Sequence, residues 1–453
     1  MADGASLENW WAAMSRGFES HALRSVTETS PKSKGKKYMS ESRSRRRVRP
    51  ERAAAAARHG RLKRSAGWKA LLAIVGSVVA VGIVAGSSVA AIATWQLNNQ
   101  IQENTVTIGA DAEPPPNIAA FDGGFNILLV GSDTREGQQG IGGNESSELN
   151  DVTMLMHVAE DKQSATVVSF PRDLVVPLPA CENGGPATGQ PINVTLFYGG
   201  LACTVATVEN LTGLKIQFAG IITFTGVIAM SNAVGGVPVC FTEPINDPYT
   251  GISFAEAGVH VLSGKNALAF LRSRHGVGDG SDLGRIGSQQ VFLSALVRKI
   301  KSDDTLTDFT KLYGIAQAAS KNIQLSSNFA NLDTLVSVAL VLKDIPLEHV
   351  VFVQYPSHTG GVGIYAGKVQ PIPEVANALF EVIKADKPLG LDESALEDAH
   401  GGSTEDPNAP KPSTSPTPTA TTDPDAPPTV KPVVVPGVKG QTAAQYTCSV
   451  ANN

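Results

Sequence analysis

Two aspartates, four arginines and a glutamine sit beside strand-like and helical patterns in this chain. Asp133 follows the apolar run FNILLVG, Asp151 opens DVTMLMHV, and Arg172 follows SATVVSFP. Arg272 and Arg274 close ALAFLRSR just before the glycine-rich HGVGDG, and Arg285 and Gln289 lie four residues apart in GRIGSQQ. Arginine clusters suit phosphate, because the planar guanidinium donates paired hydrogen bonds to its oxygens. Paired aspartates suit Mg2+ (or Mn2+), a hard cation that binds one or two carboxylates and fills its shell with water and phosphate oxygens. A diphosphate with its metal satisfies both sets, and without such a ligand the arginines would repel one another. RSRHG alone reads equally well as a solvated loop. The inference rests on the combination.

The elements must bring these residues together. FNILLVG, DVTMLMHV and SATVVSFP are strand patterns, the last two joined by the polar turn AEDKQ as a hairpin. If the first and third run one way and the second the other, Asp133, Asp151 and Arg172 share one sheet edge. Arg285 and Gln289 share one helix face, near an N-terminus that favours anions and is capped by Ser281 or Asp282. Arg272 and Arg274 are about 200° apart on an ideal helix, so both reach one ligand only if that helix ends near Arg272. Asp173 reads as structural, pairing with Arg172 or Arg285 or capping a turn, and His275 reads as a bystander. Strands mixed with helices, with a hairpin among them, predict an α/β domain whose mixed sheet is covered on both faces.

The formal net charge of −5 over 453 residues hides a basic N-terminus. From Lys32 to Lys69 there are about fifteen Lys or Arg and two acids, and no charge follows until Glu103. That apolar run, of roughly 25 residues, is long enough to span a bilayer as a helix. A signal peptide would have a shorter apolar region nearer the start, and a core helix would show a polar face. The basic flank places the N-terminus in the cytoplasm and the rest outside. It suits anionic lipid, and no nucleic acid is expected as a partner. The expected segments are a basic, disordered 1–67, a transmembrane helix over 68–96, a linker over 97–120, a globular domain over 121–388 and a Pro/Thr-rich tail over 389–453. Cys181, Cys203, Cys240 and Cys448 all follow the span, in a disulfide-permissive compartment. Three pairings are open; Cys181 with Cys203 is preferred, and Cys240 reads almost equally well as a free buried thiol.

FNILLVGSDTR, NDVTMLMHV, VVSFPRDLVVPLP, GQPINVTLFYGG, NAVGGVPVC and LSGKNALAFLRSRHGVGDGSDLGRIGSQQ occur in an order that resembles the LytR-CpsA-Psr family of cell-wall enzymes. The resemblance covers roughly residues 121–385. It implies an α-β-α sandwich with a central mixed sheet and an apolar pocket for a polyprenyl chain. It also implies transfer of a glycopolymer from a polyprenyl diphosphate carrier to peptidoglycan, aided by a divalent metal. By position, Asp133 and Asp151 match the family's acidic pair, Arg172 its diphosphate-contacting arginine, Arg272 and Arg274 its paired arginines, and Arg285 and Gln289 its later pair. Asp133, Asp151, Arg172, Arg272 and Arg274 are the expected catalytic residues. Many members carry arginine where this chain has Ser288, which reduces positive charge near the site. The insertion GQQGIGGNESSEL between the two aspartates could alter acceptor access. The alternative is a non-catalytic envelope receptor or transcriptional attenuator that binds polyprenyl phosphates. Which glycopolymer is involved stays open.

Overall fold

Phe125 and Ile127 point to one face of their strand, Leu128 and Val130 to the other, and the domain is built on that alternation. The computed structural model describes residues 67–103, 105–108, 123–134, 148–301, 309–392, 394–396, 403–406, 408–409 and 431–452. Its main sheet has eight strands. In chain order they are β1 (Thr105–Val106), β2 (Phe125–Ser132), β3 (Asn150–Val158), β4 (Ala165–Phe170), β5 (Phe218–Ile222), β6 (Ile323–Ser326), β7 (Val350–Gln354) and β8 (Gly440–Thr442). The spatial order is β1-β6-β5-β2-β3-β4-β7-β8. The β2–β3 and β3–β4 pairs are antiparallel, whereas β2–β5 and β4–β7 are parallel, so the sheet is mixed.

Eight helices accompany these strands among the described residues: α1 (Gly67–Glu103), α2 (Thr195–Thr212), α3 (Phe224–Ala233), α4 (Gly264–Arg272), α5 (Asp282–Lys301), α6 (Phe309–Asn322), α7 (Leu332–Asp344) and α8 (Pro373–Lys384). Leu128 and Val130 share a core with Leu201 and Val205 of α2 and Leu379 and Phe380 of α8. Phe125 and Ile127 share another with Leu97 and Ile101 of α1 and Val338 of α7. Each sheet face is thereby covered by helix.

The chain divides into two units, Met1–Ala73 and Ile74–Asn453; the described part of the first is the opening of α1. α1 has 37 residues, roughly 55 Å at 1.5 Å per residue. It is long and apolar enough to cross a membrane, and Ile74, Val81 and Val84 on it are exposed. Ile192–Thr212 passes the same test, but more than half of it is buried as a core element.

Two expected boundaries differ. The sequence predicts a linker over 97–120, yet α1 continues to Glu103, buries Leu97 and Ile101, and donates from Gln102 Nε2 to the Ala330 carbonyl at 2.6 Å. The helix therefore ends as part of the domain core. The domain was also expected to stop at 388. Residues 431–452 instead return to it: β8 pairs with β7, and Thr447–Ser449 joins a second sheet beside Val237–Phe241. That second sheet has four strands, Gly258–Leu262, Val237–Phe241, Thr447–Ser449 and Ser403–Glu405 in order. Cys240 is bonded to Cys448 and Cys181 to Cys203, so Cys240 is not a free thiol. The short polar segment QTAAQYTCSV lacks an apolar stripe of its own and is placed by its partners. Arg298 donates to the carbonyls of Ala443 and Gln445 at 2.7 and 2.8 Å and lies over the Tyr446 ring. The basic N-terminal segment, most of the insertion GQQGIGGNESSEL and residues 411–430 of the Pro/Thr-rich stretch lie outside the described residues.

Candidate active site

Asp151 owes its direction to an irregularity in the β2–β3 ladder. Gly131 pairs with Val152 and Ser132 with Asn150, so Asp151 is the extra residue of a β-bulge. A bulge re-aims its side chain out of the strand's alternation. Asp151 lines a cleft of about 260 Å³ together with Arg172, Asp247, Tyr249, Thr250, Arg272, Arg274, His275 and Arg285. Arg172 follows β4, which runs parallel to β2, and reaches the same edge.

The α4 helix ends at Arg272, and Ser273 is extended with φ −63° and ψ 137°. Leaving the helix there removes the angular separation that would send Arg272 and Arg274 to opposite sides. The α5 helix starts at Asp282, where the Ser281 hydroxyl accepts the Gly284 N–H at 3.0 Å as an N-terminal cap. This first turn places Arg285 in the cleft.

Asp282 joins these segments. Its Oδ1 accepts from Arg274 at 2.9 Å and from Arg285 at 2.8 Å, and its Oδ2 accepts the Arg172 main-chain N–H at 3.0 Å. Arg172 donates to Asp151 Oδ1 at 2.5 Å, and Arg285 donates to the Asp151 carbonyl at 2.8 Å. Burial alone would raise the Asp151 pKa, but the guanidiniums of Arg285, Arg172 and Arg274 outweigh it and hold the carboxyl below its usual range. For Arg172 burial works the other way, and Asp151, Asp173 and Asp282 overcome it to raise its pKa. Arg274 is pushed down, first by burial and next by repulsion from Arg285. Four arginines and two aspartates line the cleft, and the Nε atoms of Arg172 and Arg285 are buried with no hydrogen bond among the described residues. This arrangement is suited to binding an anion.

Among the residues selected by sequence, Asp151, Arg172, Arg272, Arg274 and Arg285 meet in the cleft. Asp133 lies at the same sheet edge, one step beyond β2. Its N–H donates to the Leu149 carbonyl at 3.0 Å and its Oδ1 accepts the Leu149 N–H at 2.8 Å. It is not among the lining residues. Gln289 does not line the cleft either; its amide donates to the Leu271 carbonyl at 3.1 Å and ties α5 to the end of α4. Asp173 lies between Arg172, at 3.7 Å, and Lys368, at 3.6 Å. The sequence offers Asp282 as a cap, and its place three residues before Arg285 on a helix is also a visible signal of pairing. His275, read as a bystander, lines the cleft. Asp247, Tyr249 and Thr250 were missed, because nothing local in INDPYTG announces a neighbour in a distant loop.

The carboxylates fit a divalent cation in chemistry. Asp151, whose pKa is held down, offers a hard oxygen donor beside arginines that would hold phosphate, whereas Asp133 lies at the same sheet edge outside the cleft lining, with its Oδ1 accepting the Leu149 N–H.

The fold and the cleft define an α/β domain that presents an arginine-rich anion site at one edge of a mixed sheet. The LytR_cpsA_psr family model matches residues 89–381, and the chain belongs to that family. LcpA of Corynebacterium glutamicum, a cell wall biosynthesis protein, is 29% identical over 312 residues, spanning 62% of this chain and 58% of that protein. TagT of Bacillus subtilis, a polyisoprenyl-teichoic acid–peptidoglycan teichoic acid transferase, is 27% identical over 330 residues, spanning 71% of this chain and 97% of TagT. A solved LytR-Csp2A-Psr enzyme from Actinomyces oris superposes with a TM-score of 0.45 at 21% identity, covering 62% of this chain and 96% of that one.

Proposed function

We propose that this protein is a membrane-anchored transferase that moves a glycopolymer from a polyprenyl diphosphate carrier onto peptidoglycan. The observation that carries the reading is the convergence of Arg172, Arg272, Arg274 and Arg285 on one cleft beside the ionised Asp151. The names borne by LcpA and TagT support it. In this reading α1 anchors the chain with its basic N-terminus in the cytoplasm and the catalytic domain outside. Residues 97–103, 403–405 and 431–452 belong to that domain.

The arginines hold the diphosphate and offset charge as the bond breaks. The acceptor hydroxyl oxygen attacks the phosphorus that bears the sugar. The bond from that phosphorus to the bridging oxygen breaks, and polyprenyl phosphate leaves with the electron pair. The products are a phosphodiester-linked polymer and polyprenyl phosphate, and the hydroxyl proton passes to a carboxylate or to solvent. Asp151 and Asp133 would hold Mg2+, which supplies further positive charge to the phosphate oxygens. The prenyl chain enters along the half-buried apolar run Val227–Met230 of α3. Phe224, at the start of that helix, lies under the Arg272 guanidinium.

The test uses the full chain in lipid nanodiscs with a polyprenyl-diphosphate-linked glycan, peptidoglycan and Mg2+, and measures polyprenyl phosphate release. Arg172→Ala and Arg272→Ala should each lower turnover about 100-fold, the usual loss for one charge-stabilising donor. Wild-type turnover in both variants would sink the assignment. Carrier binding without any turnover in the wild type would favour a receptor.

A further inference from the structure

Tyr249 is 79% exposed, yet it lines the mouth of the arginine cleft. Its ring lies against that of His275, with centroids 4.4 Å apart and planes tilted by 40°. The two rings come from separate segments, and one buried carboxylate holds both. Asp247 Oδ1 accepts the N–H groups of Tyr249 at 2.9 Å and Thr250 at 3.3 Å, while Asp247 Oδ2 accepts the Ser273 hydroxyl at 2.6 Å. Gly276 approaches so closely that a Cβ there would meet the Asp247 Cβ at 2.8 Å. The two main-chain segments that carry the rings are thus tied to one carboxylate.

We infer that Tyr249 and His275 form a subsite for the sugar ring attached to the diphosphate. This rests on the transferase reading of the cleft. A pyranose has apolar C–H faces and hydroxyl edges, and this surface has the matching character. The two rings offer apolar faces with a polar tip on each. Thr250 borders the same cleft, but its hydroxyl is buried and is not part of this surface. A prenyl chain would instead need an enclosed apolar channel, whereas the neighbours here are Asp247, Arg274 and Thr250. The diphosphate on the arginines puts its first sugar at this rim.

The test measures binding to the full chain in nanodiscs with two probes: farnesyl diphosphate, and the same diphosphate carrying one N-acetylglucosamine. Tyr249→Ala should weaken the sugar-bearing probe about tenfold and farnesyl diphosphate by less than about twofold, as expected for loss of one aromatic contact. Tyr249→Phe should bind both as the wild type does. Equal loss on both probes would overturn the sugar assignment and point to a lipid contact or a structural role. Undiminished binding of the sugar-bearing probe would also overturn it. Arg172→Ala separates the two readings, since the cleft reading itself fails if that variant binds both probes normally.

Discussion

Asp282 and Arg285 form a buried ion pair within the first turn of α5, 2.8 Å apart, with side chains 6% and 4% exposed. The same carboxylate also holds Arg274 and the main chain of Arg172, so it fixes three segments of the cleft at once. Removing one partner of a buried pair leaves the other charge uncompensated. Asp282→Ala should therefore lower stability by about 3–5 kcal/mol in urea unfolding. Farnesyl diphosphate affinity should fall as well, since three arginines lose their alignment. A loss below about 1 kcal/mol, the size of an exposed pair, would show that Asp282 is not the organising group.

Asp151 predicts an acid limb of stability. Its folded pKa lies below the ordinary 3.8, so the unfolded chain takes up the proton first as pH falls. The stabilisation is complete above about pH 4 and is lost as pH drops through the lower folded value. Arg172→Ala removes one of the charges that holds the value down. The acid limb should then be shallower and end at higher pH in circular dichroism titrations. Identical limbs in the two proteins would contradict the coupling.

The contrast between Asp151 and Asp247 shows how far the sequence could lead. Strand patterns and one hairpin turn were enough to place Asp151 and Arg172 at one sheet edge, because side-chain period and strand direction are local properties. The end of α4 at Arg272 was foreseeable from the glycines that follow. The bulge at Asp151 was not, since it depends on how β2 and β3 pair. Asp247 lies in a turn with no periodic signal, and its partner Ser273 is 26 residues away. The C-terminal return was hidden for the same reason: Cys448 meets Cys240 across a separation of 208 residues.

That separation sets the next prediction. Chain-entropy reasoning makes a cross-link more stabilising when it closes a longer loop. Cys181–Cys203 closes a loop of separation 22, worth about 3 kcal/mol, and Cys240–Cys448 one of separation 208, worth about 5 kcal/mol. Cys240→Ser with Cys448→Ser should thus cost more than Cys181→Ser with Cys203→Ser in urea unfolding. It should also loosen the arginine loop, because Gly278 donates to the Val450 carbonyl at 2.8 Å beside that bridge. Faster amide exchange at Gly278 in the first pair of substitutions, and not in the second, is the expected signature.

The C-terminal end of α1 should be as important to folding as any core helix. Leu97 and Ile101 lie one turn apart and are buried in the same core as Phe125 and Phe218. Leu97→Ala should cost about 3 kcal/mol, in the range for a large side chain deleted from a core. Ala80→Val, in the apolar stretch of α1 before this contact, should leave urea unfolding of the domain unchanged. Equal effects at the two positions would mean that α1 is only an anchor.

The last prediction concerns direction rather than charge. The Arg272 guanidinium lies 4.4 Å from the Phe224 ring centroid, and it also lines the cleft. Stacking fixes the plane of the guanidinium and so the direction of its donors. Lysine keeps the charge but loses the planar fork. Arg272→Lys should lower farnesyl diphosphate affinity about tenfold, the loss of one well-placed paired contact. Phe224→Leu removes the ring while retaining an apolar side chain, and should produce part of that loss. If the ring acts by orienting the guanidinium, the double variant should bind no more weakly than Arg272→Lys alone, since the fork it orients is already gone. Additive losses would mean that Phe224 contributes by another route, most simply by contact with the prenyl chain.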